Sequence, residues 1–309
     1  MTLSSSEGTS PHSLLRAQIA IPFLIVALIW GSTWFVILGQ NEGAPVGWSV
    51  TYRFVIATPA MFAVALAMRR SLRMSKAGHA VAFVVGVTQF CGNYNFVYRA
   101  EAYLTSGIVA VMLGLLMVPN TVLARLFLGQ KITPRFLIGS AIAIAGIGLL
   151  LLHEARMAPV GDKVFLGVVL AFAGMMCASI SNIVQANETG KALPTVSLLA
   201  WAMFYGTLVT GALAWVVSGP PVIPTSGAYW AGTAYLALAG SVVTFPLYFT
   251  LIRRLGAGRA AYNGVAVIVI AMLISTIFEG YRWSPLAIAG AGLAMSGLIV
   301  ALRARKPMA

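Results

Sequence analysis

The sequence predicts an all-α integral membrane protein, with ten transmembrane helices in two inverted five-helix repeats and both the N and C termini cytoplasmic. Three observations predict it: a composition that no water-soluble core could bury, ten apolar stretches of spanning length whose flanking charges sort to one side, and a self-similarity at an offset of 151 residues.

Of 309 residues, 60% are hydrophobic and 9% charged, and the mean hydropathy is +0.91. Globular chains run near half and a quarter, so the bilayer is this chain's solvent. Disorder is excluded by the apolar content, and a collagen-like structure by 31 glycines without a three-residue period. Twenty Lys and Arg against seven Asp and Glu give a net charge of +13. On a soluble chain that would suggest nucleic acid. Here it reflects the Lys and Arg that cytoplasmic loops gather, and no nucleic-acid partner is expected. Cys91 and Cys177 both fall in apolar runs and indicate no disulfide framework.

A spanning helix needs about 20 apolar residues. Such stretches lie at 17–39, 46–68, 79–98, 104–127, 133–152, 163–186, 195–218, 228–252, 259–279 and 284–302. The first is too long for a signal peptide and shows no small-residue cleavage site before Gln40 and Asn41, so it is expected to be retained. This divides the chain into a disordered cytoplasmic tail, 1–16, a first repeat, 17–152, a second repeat, 163–302, and a basic cytoplasmic tail, 303–309.

With both ends inside, the inner loops hold 15 basic residues, among them Arg69, Arg70, Arg73, Lys76, Arg125, Lys131 and Arg135. The outer side holds four, Arg99, Arg156, Lys163 and Arg282, while Glu42, Glu101, Glu154, Asp162 and Glu279 lean outward. Ten spans with both termini inside is the count that sorts charge this well.

Taken in order, the spans carry these features. In the first, Trp30, Thr33 and Trp34 share a helical face, too deep for an interfacial tryptophan belt; they suit substrate stacking or helix packing equally. In the second, Arg53 is the one charge well inside a span, about 10 Å from its external start. It has three outlets: snorkelling to the outer headgroups, bonding to neighbouring carbonyls, or holding a substrate carboxylate. The third is the most polar. Gln89 and Asn93 share one face and Tyr94 and Tyr98 another, so the four are not expected to meet a single cavity. Interhelical hydrogen bonds, worth about 0.6–2 kcal/mol each, are the competing explanation.

In the fourth span Pro119 frees the carbonyl of Leu115, with Gly107 and Gly114 loosening the helix. The sixth offers Ser179 and Asn182, the seventh Trp201 and Tyr205, and the eighth Pro246 and Tyr248. Asn263 stands near the cytoplasmic end of the ninth, suited to a gate or a helix start. The expected substrate-binding set is therefore Trp30, Trp34, Gln89, Asn93, Tyr94, Tyr98, Ser179, Asn182, Tyr205 and Tyr248, and the expected hinge set Gly107, Gly114, Pro119 and Pro246. Spans three, four, eight and nine are expected to bend.

Shifting the chain by 151 places Gly107, Phe127, Gly129, Pro134, Gly139, Ala143 and Gly146 on Gly258, Phe278, Gly280, Pro285, Gly290, Ala294 and Gly297. The turn Gly129 to Pro134 matches Gly280 to Pro285 in length. An offset of five spans is odd, so the second copy enters the membrane inverted, as in secondary transporters.

Ten spans, the five-plus-five inverted duplication, Trp30-Gly31-Ser32-Thr33-Trp34 and the glycine-proline turn together resemble the drug/metabolite transporter superfamily, EamA type, over nearly the whole chain. Within it the pattern is most similar to the YddG-type aromatic amino-acid exporters. The family's Pro in spans four and nine is matched by Pro119 but stands as Ile270, and its acid before the following turn is matched by Glu279 but stands as Leu128, so roles do not transfer between halves.

The resemblance implies export of small amphipathic metabolites, aromatic and other neutral amino acids, by alternating access. No Asp, Glu or His falls at mid-depth, which favours uncoupled movement, with Glu279 and His79 as peripheral coupling candidates. A proton-coupled drug/metabolite antiporter is the alternative. A phosphorylated-metabolite antiporter would want several basic residues in the cavity. An intramembrane protease would want a buried serine and histidine, paired aspartates or HExxH, and the sequence has none of these. A channel or sensor fits an inverted duplication less well. No cofactor or metal is expected; the partners are a small-molecule solute and the bilayer, with monomer and homodimer both open because glycine-rich faces serve either.

Overall fold

A computed structural model describes residues 17–129, 131–157, 163–255 and 262–303. The tails 1–16 and 304–309 lie outside the described residues, as do Asp162, Gly258 and Arg259. The described chain is helical almost throughout. The helices are α1 (Ala17–Gly43), α2 (Val46–Ala67), α3 (Lys76–Ala100), α4 (Ser106–Leu128), α5 (Pro134–Met157), α6 (Val164–Ala186) and α7 (Thr195–Ser218). After them come α8, running through Gly227–Ala237, Leu238–Val243 and Thr244–Leu255, then α9 (Tyr262–Phe278) and α10 (Pro285–Arg303).

Eight helices are long and apolar enough to cross a membrane, and the stretches in α9 and α10 are shorter apolar helices. The ninth and tenth expected spans fall on these two shorter helices, α9 and α10. Large apolar side chains face outward along many helices, Phe165 at 79% and Val216 at 82% exposed, as lipid requires.

The paired turns repeat in conformation as well as sequence. Gly129 and Gly280 both adopt left-handed backbone, φ 65° and 67°, the C-terminal helix stop that favours glycine. Pro134 and Pro285 then open α5 and α10 at the first helical position, where a missing N–H costs nothing.

Those two helices pack backbone to backbone. A Cβ on Gly146 would stand 2.3 Å from the Ala294 nitrogen, and one on Gly297 2.3 Å from the Ala143 nitrogen. Gly146 also meets the Gly290 carbonyl, and Gly139 the Gly297 carbonyl. At an offset of 151, Gly139 corresponds to Gly290 and Gly146 to Gly297, so the contact is reciprocal and antiparallel, the relation a two-fold axis imposes. Elsewhere α2 meets α7 through Gly47 against Ala214 and a Thr58 to Thr207 hydroxyl pair at 3.1 Å. Small residues and hydroxyls are what bind helices in lipid.

Three helices are irregular. In α3, Gly86–Asn93 is a π-helix, and in α8, Leu238–Val243 is another; i→i+5 bonding widens the turn. Between Gly114 and Met117, α4 breaks: Leu115 and Leu116 donate to Met112 and Leu113, three residues back, and Val118 donates to the Leu115 carbonyl at 2.7 Å. Pro119 has no N–H to claim that carbonyl. Pro246 sits in the first turn after the second π-segment, and Val242, whose carbonyl it leaves free, falls within it. Pro59, by contrast, lies in an unbroken α2.

Candidate functional site

A cavity of about 590 Å³ lies among α1, α2, α3, α4, α6, α8 and α9. Its aromatic wall comes from α1, α3 and α8. The Trp30 ring meets Phe245 at 5.7 Å and Tyr248 at 5.1 Å; Phe90 stacks on Tyr94 and meets Phe245 at 6.0 Å. The indole N–H of Trp30 donates to the Gly240 carbonyl in the second π-segment. Trp34 also lines the cavity, and its buried indole N–H finds no partner among the described residues.

The polar wall comes from α3, α4 and α6. Gln89 donates to Asn93 at 3.2 Å, and Asn93 donates to the Gly174 carbonyl at 2.9 Å, fixing α3 on α6. Asn182 donates to Asn120 at 3.3 Å. Residues 89, 90, 93, 94 and 97 all meet the cavity. Tyr94 thus joins Gln89 and Asn93 on one stripe of ordinary amphipathic width on a helix with a π-helical turn, while Tyr98, the fourth of the set, is not on it.

Of the ten expected contact residues, Trp30, Trp34, Gln89, Asn93, Tyr94, Asn182 and Tyr248 line the cavity, and Gly114 of the hinge set joins them. Three stand off it. Tyr98 is fully buried behind the wall and accepts from Arg53. Ser179 faces helix packing, one residue out of phase with Ala178 and Asn182, which line the wall. Tyr205 pairs with His79 Nδ1 at 3.0 Å and stacks near Trp201, off the cavity, whose wall α7 reaches among the described residues through Leu199. Gly107 packs α4 tightly on α9, where an added Cβ would stand 2.7 Å from Met272 Sδ. Asn120 was missed from sequence, although an amide beside Pro119 in an apolar span was the signal; Gln185, Phe90 and Phe245 were also missed.

Arg53 is 2% exposed, so the snorkelling outlet is excluded. Its Nη1 donates to the Tyr98 hydroxyl at 3.2 Å, its Nη2 to Ser241 at 3.1 Å and Tyr94 at 3.5 Å, and its Nε to Ser241 at 3.3 Å. Ser241 in turn donates to the Leu236 carbonyl of the second π-segment's approach. The guanidinium carbon stands 4.4 Å from the centre of the Tyr94 ring, an attractive cation–π placement. Arg53 is the one charged side chain in the described wall.

The cavity's ends differ. Its wall reaches Leu128, Ala186 and Gly264, at the ends of α4 and α6 and the start of α9. The opposite end is tied shut. The Glu279 carboxylate accepts from Ser106 N at 3.1 Å and from the Ser106 hydroxyl, capping α4 from the other half of the chain. Asn41 donates to the Tyr98 carbonyl at 2.8 Å, Thr233 to Gln40 at 2.7 Å, and Ser49 pairs with Tyr229 at 2.8 Å. Glu101 is 3% exposed at this end, with neither carboxylate oxygen partnered among the described residues. Burial pushes its carboxyl well above the ordinary range, Glu279 adds to the rise, and Arg53 opposes it. Among the described residues no three His, Cys, Asp or Glu side chains gather as a metal site.

An apolar helical bundle around a solute-sized chamber defines a multi-pass membrane transporter. The chain matches the EamA-like transporter family over residues 18–152 and again over 165–303, and it belongs to that family. It is 23% identical to "Protein PagO" of Salmonella typhimurium, over 87% of this chain and 88% of that one. It is 24% identical to the "Probable amino-acid metabolite efflux pump" of Escherichia coli, over 90% and 92%. It is 22% identical to the "Probable terminal-alkyne amino-acid exporter" of Streptantibioticus cattleyicolor, over 90% and 91%. A crystal structure at 18% identity superposes with a TM-score of 0.67, covering 92% of this chain and 96% of that chain, a likeness of fold.

Proposed function

We propose that this protein exports small amphipathic metabolites, aromatic and other neutral amino acids, across the cell inner membrane by alternating access and without ion coupling. In this reading the chain makes ten spans in two inverted repeats with both termini cytoplasmic, and the chamber faces the cytoplasm. The observation that carries it is the chamber: about 590 Å³, aromatic on one side, amide-lined on the other, and holding a single charge. The aromatic wall suits an apolar side chain and the amides suit the polar end of a zwitterion. The reciprocal α5–α10 contact supports the inverted architecture. The printed names of two relatives, an amino-acid exporter and an amino-acid metabolite efflux pump, point to the same substrate class.

Trp30, Trp34, Gln89, Asn93, Tyr94, Asn182 and Tyr248 are the contact residues in this account; Tyr98 acts behind them through Arg53. Bending at Leu115–Leu116 and at the α8 π-segment would open the tied end. Uncoupled movement is supported by the wall itself, which offers no carboxylate or imidazole among its described residues.

The test is efflux of radiolabelled phenylalanine from proteoliposomes. Saturable efflux with no pH difference is expected; transport that appears only under a proton gradient would overturn the uncoupled reading. One observation favours proton-coupled antiport as a second reading: the buried, unpartnered Glu101 at the tied end. That reading predicts gradient-dependent transport that Glu101→Gln abolishes.

A further inference from the structure

We propose that Arg53 is the anchor for a carboxylate on the transported solute, so that the cavity selects monoanionic or zwitterionic carboxylates bearing an apolar side chain over the corresponding amines and amides. The proposal rests on the reading of the cavity as the solute's path and names the group that path requires.

The argument starts from charge. A buried cation is retained at a cost unless it is paired or fully hydrogen-bonded. Arg53 is 2% exposed, and the four hydrogen bonds it donates all go to neutral hydroxyls, those of Tyr94, Tyr98 and Ser241. Among the described residues no carboxylate pairs with it; Glu101 acts on it only through space, from the tied end. A guanidinium carries five N–H donors, so one on Nη1 is left over. The cavity is where the missing anion would come from.

Geometry makes the group ready for one. Hydrogen bonds on both sides and the Tyr94 ring at 4.4 Å hold the planar fork in place, and a fixed fork binds a planar carboxylate with little ordering cost. Gly240 lines the cavity beside the guanidinium: a Cβ built there would stand 3.4 Å from Nη2, so its absence leaves room next to the fork whose Nη1 holds the spare N–H. The indole N–H of Trp34, whose ring also lines the cavity, is a second donor without a partner among the described residues.

The count of charges fixes the class of anion. One cation neutralises a carboxylate, whereas a phosphate dianion would leave an uncompensated charge among the rings of Trp30, Phe90, Phe245 and Tyr248. An ammonium on the same solute would find amide oxygens and π-faces on the opposite wall.

Two measurements decide it on the full-length protein. In proteoliposomes moving labelled phenylalanine, unlabelled phenylalanine and 3-phenylpropionate are expected to compete, and phenylalaninamide and phenethylamine to compete roughly tenfold less well, the least a charge-assisted bond supplies. Arg53→Gln should erase that difference and Arg53→Lys should retain part of it. Equal competition by acid and amide in the native protein overturns the proposal without any variant.

If phenylalanine is not moved at all, the exporter reading fails on its own. Thermal protection of the purified protein then decides the anchor. Protection by 3-phenylpropionate and not by phenethylamine, lost in Arg53→Gln and kept in Arg53→Lys, upholds it; equal protection by both, or by neither, overturns it.

Discussion

The two halves of the chain meet along several helices, and at two of these meetings the repeat is used differently. Along α5 and α10 the halves touch through glycine and alanine, backbone against backbone, with reciprocal contacts. Across the cavity the equivalent helices α3 and α8 share a backbone device, a π-segment each, but not side chains. At the offset of 151, Gln89 and Asn93 on α3 correspond to Gly240 and Thr244 on α8. Symmetry has been kept where it packs the molecule and abandoned where the solute would sit. A seam needs the same close approach from both sides, whereas an amphipathic solute needs an apolar wall facing a polar one.

The largest effect is expected at the seam. Gly146→Val drives side-chain atoms into the Ala294 backbone, an overpacking cost of about 3 kcal/mol or more because neither helix can yield locally. Folded yield should collapse, while Gly148→Ala on the same helix, with nothing within 4 Å of its added Cβ, should leave yield unchanged. Size-exclusion chromatography in detergent reads both. Equal yields would mean the seam is not the rigid contact described here.

At the cavity the fold should survive and transport should suffer. Trp34→Ala and Asn93→Ala should each weaken apparent substrate affinity about tenfold, the factor that 1.4 kcal/mol carries, with yield reduced less. Normal transport by both variants would remove these residues from the solute's path.

Most of this division was legible in sequence. Gly129 and Gly280, with Pro134 and Pro285, announced the paired turn because left-handed backbone and helix starts restrict residue type. Gly139, Gly146, Gly290 and Gly297 were visible as repeat identities, but that they form a seam between α5 and α10 is seen only in the tertiary fold. The π-segments were not legible, since i→i+5 bonding leaves no composition signal. The coherent stripe on α3 was therefore hidden, and Gln89 and Tyr94 were assigned to separate faces. Arg53 was visible as an oddity, but its outlet depends on Tyr98 and Ser241, which are 45 and 188 residues away. Glu101 was counted among the charges that lean outward; its burial comes from the tertiary fold.

Glu101 supplies a smaller, pH-dependent effect. Its folded pKa is raised, so between the ordinary glutamate value of about 4.3 and that raised value the folded state holds more protons than the unfolded one. Stability therefore falls as pH rises through this window. Glu101→Gln should melt with the native protein at pH 4 and above it at pH 8. A gap that is the same at both pH values would contradict the burial.

The smallest effect belongs to Tyr205. Its removal from the expected contact set predicts that Tyr205→Phe, which loses only the His79 bond, changes transport less than about twofold, well under 1.4 kcal/mol.

The central claim is that one chamber is tied shut at the Glu279 end and reached from the Leu128 end, and that these states exchange. Spin labels at Ala102 and Trp283 report on the tied end, and labels at Arg125 and Thr189 report on the other. Pulsed dipolar spectroscopy in nanodiscs is expected to show the first distance lengthening as the second shortens when phenylalanine is added. Two distances that stay fixed, or that widen together, would contradict alternating access through this chamber.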